Sequence, residues 1–317
     1  MSPRLLVLGA GGFIGRSFAD HVLARGDVEL VLHYRNADER YASGIDVESH
    51  ALDLLACQTG AIAQMIDRVR PDVVVNCTGL IVGRPHELWA ANVEIVTRLI
   101  DELDGHSSVR LVQLGSAAEY GAHQHGYPVS ETTFANPRSD YGASKLEATE
   151  QLLSADTRGR ISVTVLRLFN PVGRFSPATT LPGRAAREID QALRTGADTI
   201  TLGALDSWRD YIDVRDISGA VLAAAAPAAP SGLVLNVGRG EAVGCLHLVR
   251  SLASIAGYDG GIVETDVASA RSEHVDWQCA DIGTIRQTLG WSAEYSIEDS
   301  LADLWSEIVR STEFADG

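Results

Sequence analysis

The chain has 317 residues, 45% of them apolar and 21% charged, which excludes a mainly disordered or collagen-like polymer and suffices for one large domain or two lobes on a shared core. Acidic residues outnumber basic ones, 42 to 26, for a formal charge of −16. Such a field repels a phosphate backbone and argues against nucleic acid as a partner, so an anionic small molecule would need arginines gathered at its site. Cys57, Cys77, Cys245 and Cys279 are scattered with no CxxC pair, which fits neither a zinc site nor a secreted disulfide framework. No apolar run approaches the roughly 18 residues of a membrane span, and the amino terminus runs directly into a glycine motif rather than a cleavage site. These features predict a cytoplasmic protein with no membrane partner.

A leucine-rich strand over 5–8 opens the chain and runs into Gly9-Ala-Gly-Gly-Phe-Ile-Gly15 and a helical pattern over 13–25. The spacing is GxxGxxG. Glycines permit a tight turn and let the backbone approach a pyrophosphate at the helix amino terminus, so this context predicts dinucleotide binding by Gly9, Gly12 and Gly15. A P-loop is excluded because no Gly-Lys-Ser/Thr follows. A second strand, 29–33, ends in His33-Tyr34-Arg35-Asn36, with no carboxylate before Asp38. At that position an acid reads the ribose of NAD and an arginine accommodates the 2′-phosphate of NADP. Arg35 is therefore the candidate and NADP(H), rather than NAD(H), the expected cofactor; the alternative has Asp38 reading an unphosphorylated ribose. Asp53, after a third strand, is placed to meet the adenine.

Helix 59–69, strand 73–76, helix 86–103, strand 110–114, helix 140–156 and strand 163–169 continue the alternation. It predicts an α/β fold, a Rossmann-type doubly wound parallel sheet with ligands at the carboxyl ends of its strands. Ser116 lies just past the strand of 110–114, in Gly115-Ser-Ala-Ala-Glu-Tyr-Gly121, where a serine can donate to a substrate oxygen. Helix 140–156 carries Tyr141-Gly-Ala-Ser-Lys145. Positions i and i+4 share a helix face, so phenol and ammonium enter one site. A cation beside a phenol stabilises negative charge that develops on its oxygen, so such a tyrosine is a candidate to exchange a proton with a carbonyl or alcohol oxygen. Lys145 is the single lysine of the chain, a compact ammonium where every other strong base is a planar guanidinium.

Beyond residue 170 the rhythm breaks at Pro171, Pro177 and Pro182. Helix 183–195, strands 199–202 and 208–212, helix 216–226, strand 233–237 and a tail of small helices and loops ending in an amphipathic helix over 297–310 follow. This predicts a nucleotide lobe from 1–169 plus 211–238 and a smaller C-terminal α/β substrate lobe from 170–210 plus 239–317. His123 and His125 lack a third ligand and read as loop residues, so no metal is expected.

Together with Leu168-Phe-Asn-Pro-Val-Gly173, Trp208-Arg-Asp-Tyr-Ile-Asp-Val214, Leu235-Asn-Val-Gly238 and the stretch from Asp281 to Gly290-Trp291, these motifs resemble the extended short-chain dehydrogenase/reductase family. More closely they are similar to its NAD(P)-dependent nucleotide-sugar epimerases, dehydratases and ketoreductases. The resemblance implies that Ser116, Tyr141 and Lys145 are catalytic. It spreads cofactor contacts over Gly9, Gly12, Phe13, Ile14, Gly15, Arg35, Asp53, Leu54, Cys77, Thr78, Gly79, Asn92, Tyr141 and Lys145. It places Ser116, Ala117, Ala118, Asn170, Arg209 and Arg271 against a nucleotide-diphosphate sugar, whose phosphates suit the arginine fork. Arg174, Arg184 and Arg239 are weaker candidates, and Trp208 stands open between sugar pocket and core. A homodimer through helices 86–103 and 140–156 is implied as well.

One departure narrows the chemistry. Family dehydratases carry threonine-Asp-Glu where this chain has Ser116-Ala117-Ala118, and methyl groups cannot act as acid and base in an elimination. Glu119 lies one place late and is expected to point elsewhere. The expectation is therefore NADPH-dependent reduction of a nucleotide-activated 4-keto-6-deoxyhexose at C4, in deoxysugar biosynthesis. The alternatives are a nucleotide-sugar 4-epimerase with tightly bound NAD, and a non-catalytic dinucleotide-sensing protein on the same fold.

Overall fold

The structure, a computed structural model, describes residues 3–39, 47–265 and 275–313. Its first part alternates β1 (Arg4–Leu8), α1 (Phe13–Arg25), β2 (Glu29–Tyr34), β3 (Ser49–Ala51), α2 (Ala61–Val69), β4 (Val73–Asn76), α3 (Pro85–Trp89), α4 (Ile95–Leu103), β5 (Arg110–Ser116), α5 (Asp140–Thr157) and β6 (Ser162–Leu168). The helix expected over 86–103 is interrupted by a π turn, Ala90–Glu94, which joins α3 to α4. The second part contains β7 (Asn170–Val172), α6 (Leu181–Thr195), β8 (Thr199–Leu202), β9 (Trp208–Asp213), α7 (Val214–Ala225), β10 (Leu233–Val237) and β11 (Ala242–Gly244). It closes with α8 (Cys245–Ala256), β12 (Gly261–Glu264), β13 (Trp277–Gln278), α9 (Gly283–Leu289) and α10 (Ile297–Glu313).

Strands such as Val73–Asn76 are buried at every position, the pattern of a parallel strand covered on both faces. Seven strands form one parallel sheet in the order β10-β6-β5-β4-β1-β2-β3. Alternate residues of β1 face opposite ways: Leu5 and Val7 join Phe18, Val22, Ile217 and Val221 of α1 and α7, while Leu6 and Leu8 join Ile62, Leu99 and Leu152 of α2, α4 and α5. The sheet is thus doubly wound, and its strand order reverses between β1 and β4, where such sheets bind their ligands.

A smaller mixed sheet centres on β9, flanked by β11 and β13, with β7 also pairing β9; β12 pairs β8. Its core joins Ile189, Leu202, Tyr211, Leu248 and Leu304 from α6, β8, β9, α8 and α10. The tail is more regular than its composition suggested, since α8 buries Cys245, Leu248, Val249 and Leu252 at helical spacing. Ile285 and Trp291 return to the core beneath α7, and the Trp291 indole N–H donates to the Asp216 carbonyl at 3.2 Å. Among the described residues no helix is long and apolar enough to cross a membrane.

Candidate functional site

The turn between β1 and α1 is built around missing side chains. A Cβ on Gly15 would lie 2.3 Å from the Gly9 carbonyl oxygen, and Gly9 itself has φ +74°, so the helix can start directly on the strand end only with glycine here. Helix α1 has no side-chain cap at Gly12 and no acid in its first turn, which leaves the amide groups of Phe13 and Ile14 and the positive end of the helix for an anion. His33 braces the turn from β2. Its Nε2 donates to the Leu52 carbonyl at 2.8 Å, which leaves Nδ1 to accept from the Gly9 N–H at 3.4 Å. Burial pushes the His33 pKa down and favours this neutral tautomer. The Tyr34 ring passes 3.6 Å from where a Gly11 Cβ would stand, and its buried hydroxyl has no partner among the described residues. A cradle emptied of side chains, an uncapped helix end and an orphaned hydroxyl at its edge all fit a dinucleotide.

The loop after β4 forms the other wall. Gly9 lies against it, so that an added Cβ would stand 3.0 Å from Thr78 Cγ2. Asn76 Oδ1 accepts from the Thr78 hydroxyl at 2.6 Å and from its N–H at 3.1 Å, and Asn76 Nδ2 donates to Gln113 at 2.8 Å. Asn92, from the π turn, holds Leu80 through both backbone groups and donates to Ser144 of α5 at 3.0 Å, which brackets Gly79. Burial pushes the Cys77 thiol up to about 12, so it stays protonated. Arg35 and Asp53 are less committed. Arg35 is largely exposed and pairs with Glu39 at 2.9 Å, while Asp53 caps its own turn by accepting from Leu55 and Ala56. The Leu54 side chain is buried in the core with Ile62 and Met65.

Ser116 ends β5 and caps a 3-10 turn, Ala117–Glu119, its hydroxyl accepting from Ala118 N at 3.2 Å. Helix α5 starts against that turn, capped by Ser139, which accepts from Gly142 N at 3.1 Å. A Cβ on Gly142 would lie 2.5 Å from the Ala118 carbonyl oxygen, so the Tyr141–Lys145 turn sits on the Ser116 turn with no side chain between them. Lys145 is buried and donates to the Leu114 carbonyl at 2.5 Å. Glu119 points away from the crevice, fully buried and paired with Arg167 at 2.7 Å; burial pushes its carboxyl up while Arg167 opposes that shift. The structure thus sets the turn that carries Tyr141 and Lys145 directly against the one that carries Ser116, with only methyl groups at 117 and 118.

The smaller sheet faces this site through β13 and β9. Gln278 Nε2 donates to the Ala117 carbonyl at 2.9 Å, and Gln278 is in register with Arg209. Arg209 is buried and donates to the carbonyls of Trp208 and Val275, with no carboxylate partner among the described residues. Asn170 donates to the Asp210 carbonyl at 2.9 Å, tying β7 to the same strand. Trp208 is 45% exposed, so it is not a core residue. Arg174 is engaged by Glu307, Arg184 by Glu188 and Arg239 by Glu241, while Arg271 lies outside the described residues. His123 packs edge-on to Tyr120 and His125 near Trp277. Sequence reasoning passed over His33, Asn76, Gln113 and Gln278. Their signal is legible in retrospect, since His33, Asn76 and Gln113 are polar residues that directly follow the buried apolar runs 30–32, 73–75 and 111–112.

Residues 5–238 match the model of the NAD dependent epimerase/dehydratase family. A dTDP-6-deoxy-L-talose 4-dehydrogenase (NAD(P)(+)) of Kitasatospora kifunensis is 36% identical over 307 residues, covering 96% of this chain and 95% of its own. A UDP-glucose 4-epimerase of Azospirillum brasilense is 27% identical over 323 residues, covering 95% and 90%. Among solved structures, RMD from Pseudomonas aeruginosa complexed with NADPH superposes with a TM-score of 0.81 at 24% identity, over 96% of this chain and 99% of that one.

Proposed function

The chain belongs to the NAD dependent epimerase/dehydratase family, a nucleotide-sugar group of the extended short-chain dehydrogenase/reductases, and within it we propose a reductase that uses NADPH to reduce a nucleotide-activated 4-keto-6-deoxyhexose at C4. The observation that carries this reading is the convergence of Ser116, Tyr141 and Lys145 beside Ala117 and Ala118. Such a site can exchange a proton with a sugar oxygen but has no acid–base pair for elimination. The Kitasatospora relative, by its name a C4 oxidoreductase of a dTDP-6-deoxyhexose, supports the same substrate class.

A bound nicotinamide supplies the hydride. Tyr141 gives its phenolic proton to the C4 oxygen, and Ser116 orients that oxygen by donating to it. Lys145 keeps a cation beside the phenol and can turn from the Leu114 carbonyl to a ribose hydroxyl. Gly9, Gly12, Gly15 and the amides of Phe13 and Ile14 hold the pyrophosphate, with Cys77, Thr78, Gly79 and Asn92 forming the opposite wall. Asp53 and the Leu54 backbone take the adenine, and Arg35 takes the 2′-phosphate. Arg209, Asn170 and Arg271 bind the sugar-nucleotide diphosphate. The buried Arg209 cation, satisfied only by carbonyls among the described residues, is an unneutralised charge suited to that anion. We further propose a homodimer through α4 and α5, a face where Thr97 of one helix already bonds Gln151 of the other at 2.8 Å.

One observation favours the second reading, a 4-epimerase with retained NAD: Arg35 is held by the Glu39 carboxylate, an acid near the ribose end of the crevice. Nicotinamide absorbance with a nucleotide 4-keto-6-deoxyglucose, offering NADPH and NADH in parallel, decides between them. Stoichiometric oxidation, faster with NADPH, is expected. Purified protein that carries NAD and interconverts sugars without net oxidation would replace the reductase with the epimerase.

A further inference from the structure

Glu119 enters none of the chemistry above, yet it is wholly buried at the centre of the site's scaffold. Its Oε1 accepts from the backbone N–H of Ser116 at 2.8 Å. Its Oε2 accepts from the Thr149 hydroxyl at 3.0 Å and from Arg167 Nε at 2.7 Å. One carboxylate therefore joins the end of β5, helix α5 and strand β6. Thr149 stands one helical step of four residues beyond Lys145 and two beyond Tyr141, on the same face of α5. The backbone makes room for this arrangement, because a Cβ on residue 115 would lie 2.8 Å from Glu119 Oε1.

Capping of the short turn after Ser116 does not by itself require this residue. A glutamine at the third position closes a capping box equally well, and a buried ion carries a desolvation cost of several kcal/mol that a cap alone does not demand. The charge finds its use on the other oxygen, which leaves the turn to meet Arg167 and the helix bearing Tyr141 and Lys145. Arg167 in turn stacks 4.6 Å above the Tyr120 ring, whose hydroxyl bonds Asn236 of β10 at 2.7 Å, so the anchor reaches the edge of the sheet.

We propose that Glu119 is a positioning residue that fixes the Ser116 turn and helix α5 relative to each other, so that the serine hydroxyl and the Tyr141 phenol address the same substrate oxygen. The proposal rests on reading Ser116, Tyr141 and Lys145 as the catalytic set. A small displacement of groups that must meet one atom is costly in rate, whereas cofactor binding rests mostly on β1, α1 and the loop after β4 and draws only its ribose contact from α5, so it changes far less.

The test uses Thr149→Val, which removes one hydroxyl and keeps both charges, and Glu119→Gln, which keeps the acceptor for Ser116 and removes the charge. Both are expected to lower kcat about 10-fold or more with the NADPH dissociation constant within about twofold of wild type, and Thr149→Ser is expected to restore it. Crystal structures should show a longer Ser116 Oγ to Tyr141 Oη separation in both variants. If Glu119→Gln does not fold, Thr149→Val decides alone. Wild-type kcat in folded Thr149→Val, or an unmoved serine–tyrosine separation, would overturn the proposal. The structural comparison needs no substrate, so a wild-type protein that fails to reduce the ketosugar counts against the proposed reaction and leaves this test intact.

Discussion

The Lys145 ammonium donates to the Leu114 carbonyl at 2.5 Å, two residues upstream of Ser116 on the same strand. That carbonyl also accepts from Gln113 Nε2 at 3.0 Å, and Gln113 continues through Asn76 to Thr78. A chain of hydrogen bonds thus runs from the lysine to Thr78 in the loop after β4. Because Gln113 would still satisfy the carbonyl, Lys145→Met should fold with little change in Tm. Its kcat/KM should fall about 10²–10⁴-fold, the usual worth of a positioned proton-transfer system. Lys145→Arg should not rescue it, since a planar fork cannot replace a compact ammonium in so closed a site. Recovery of more than a tenth of wild-type activity in the arginine variant would show that charge alone suffices.

The cofactor turn makes a sharper steric prediction. A Cβ at position 15 meets the Gly9 carbonyl at 2.3 Å, while one at position 12 finds the same oxygen at 3.4 Å. Gly15→Ala must therefore push α1 away from β1, with an overpacking cost of about 1–3 kcal/mol. Gly12→Ala leaves the backbone path intact and crowds only the space a pyrophosphate would enter. Thermal unfolding without cofactor should separate the two: Gly15→Ala lowers Tm, and Gly12→Ala keeps Tm but weakens NADPH binding in a titration. Equal Tm values would mean that α1 yields more readily than the close contact implies.

Much of the geometry of the β1–α1 turn and of the start of α5 was legible because its physics is local. A glycine turn between a buried strand and a helix, or a tyrosine four residues before a lysine, announces its own geometry. What the sequence concealed depends on contacts across the chain. Glu119 looked like a carboxylate one place out of register, and only the neighbouring strand supplying Arg167 shows why it is buried. Leu54 follows a candidate adenine contact, but its side chain belongs to the α2 core. The π turn at Asn92 could not be read from periodicity, since it shifts the helix by one residue to aim that amide at Leu80 and Ser144. In the smaller sheet the strands are three residues long or shorter at β7, β11 and β13, too short for alternation to show.

Cofactor choice should respond to a pair rather than to one residue. Arg35 bonds Glu39 at 2.9 Å, and Glu39 also stands 3.8 Å from the space beside Gly11. To hold a 2′-phosphate, Arg35 must leave that carboxylate, whose own charge opposes the phosphate. Glu39→Gln is therefore expected to raise the NADPH-to-NADH ratio of kcat/KM, and Arg35→Gln to lower it. Each change should be of about 10-fold, the scale of one charge-assisted hydrogen bond. Paired kinetics with both cofactors at one ionic strength will read this directly. No change in the ratio for Arg35→Gln would remove Arg35 from cofactor selection.

Asp210 gives the smaller sheet a pH signature. Its carboxylate is fully buried and accepts from the backbone N–H groups of Arg239, Gly240 and Ala280 at 2.8, 2.9 and 3.0 Å. Burial nevertheless outweighs these bonds and pushes its pKa from 3.8 up to about 6. The unfolded chain ionises this group first, so between about pH 4 and pH 6 the folded state binds a proton that the unfolded state has released. The stability it contributes is complete below about pH 4 and is lost as pH rises through about 6, by at most about 3 kcal/mol. Asp210→Asn has no such proton and cannot accept all three N–H groups, so it should be less stable throughout. The gap between wild type and variant should narrow from pH 4 to pH 7 in urea unfolding. A gap that stayed flat over this range would mean that the three amide donors offset burial and hold the carboxylate ionised.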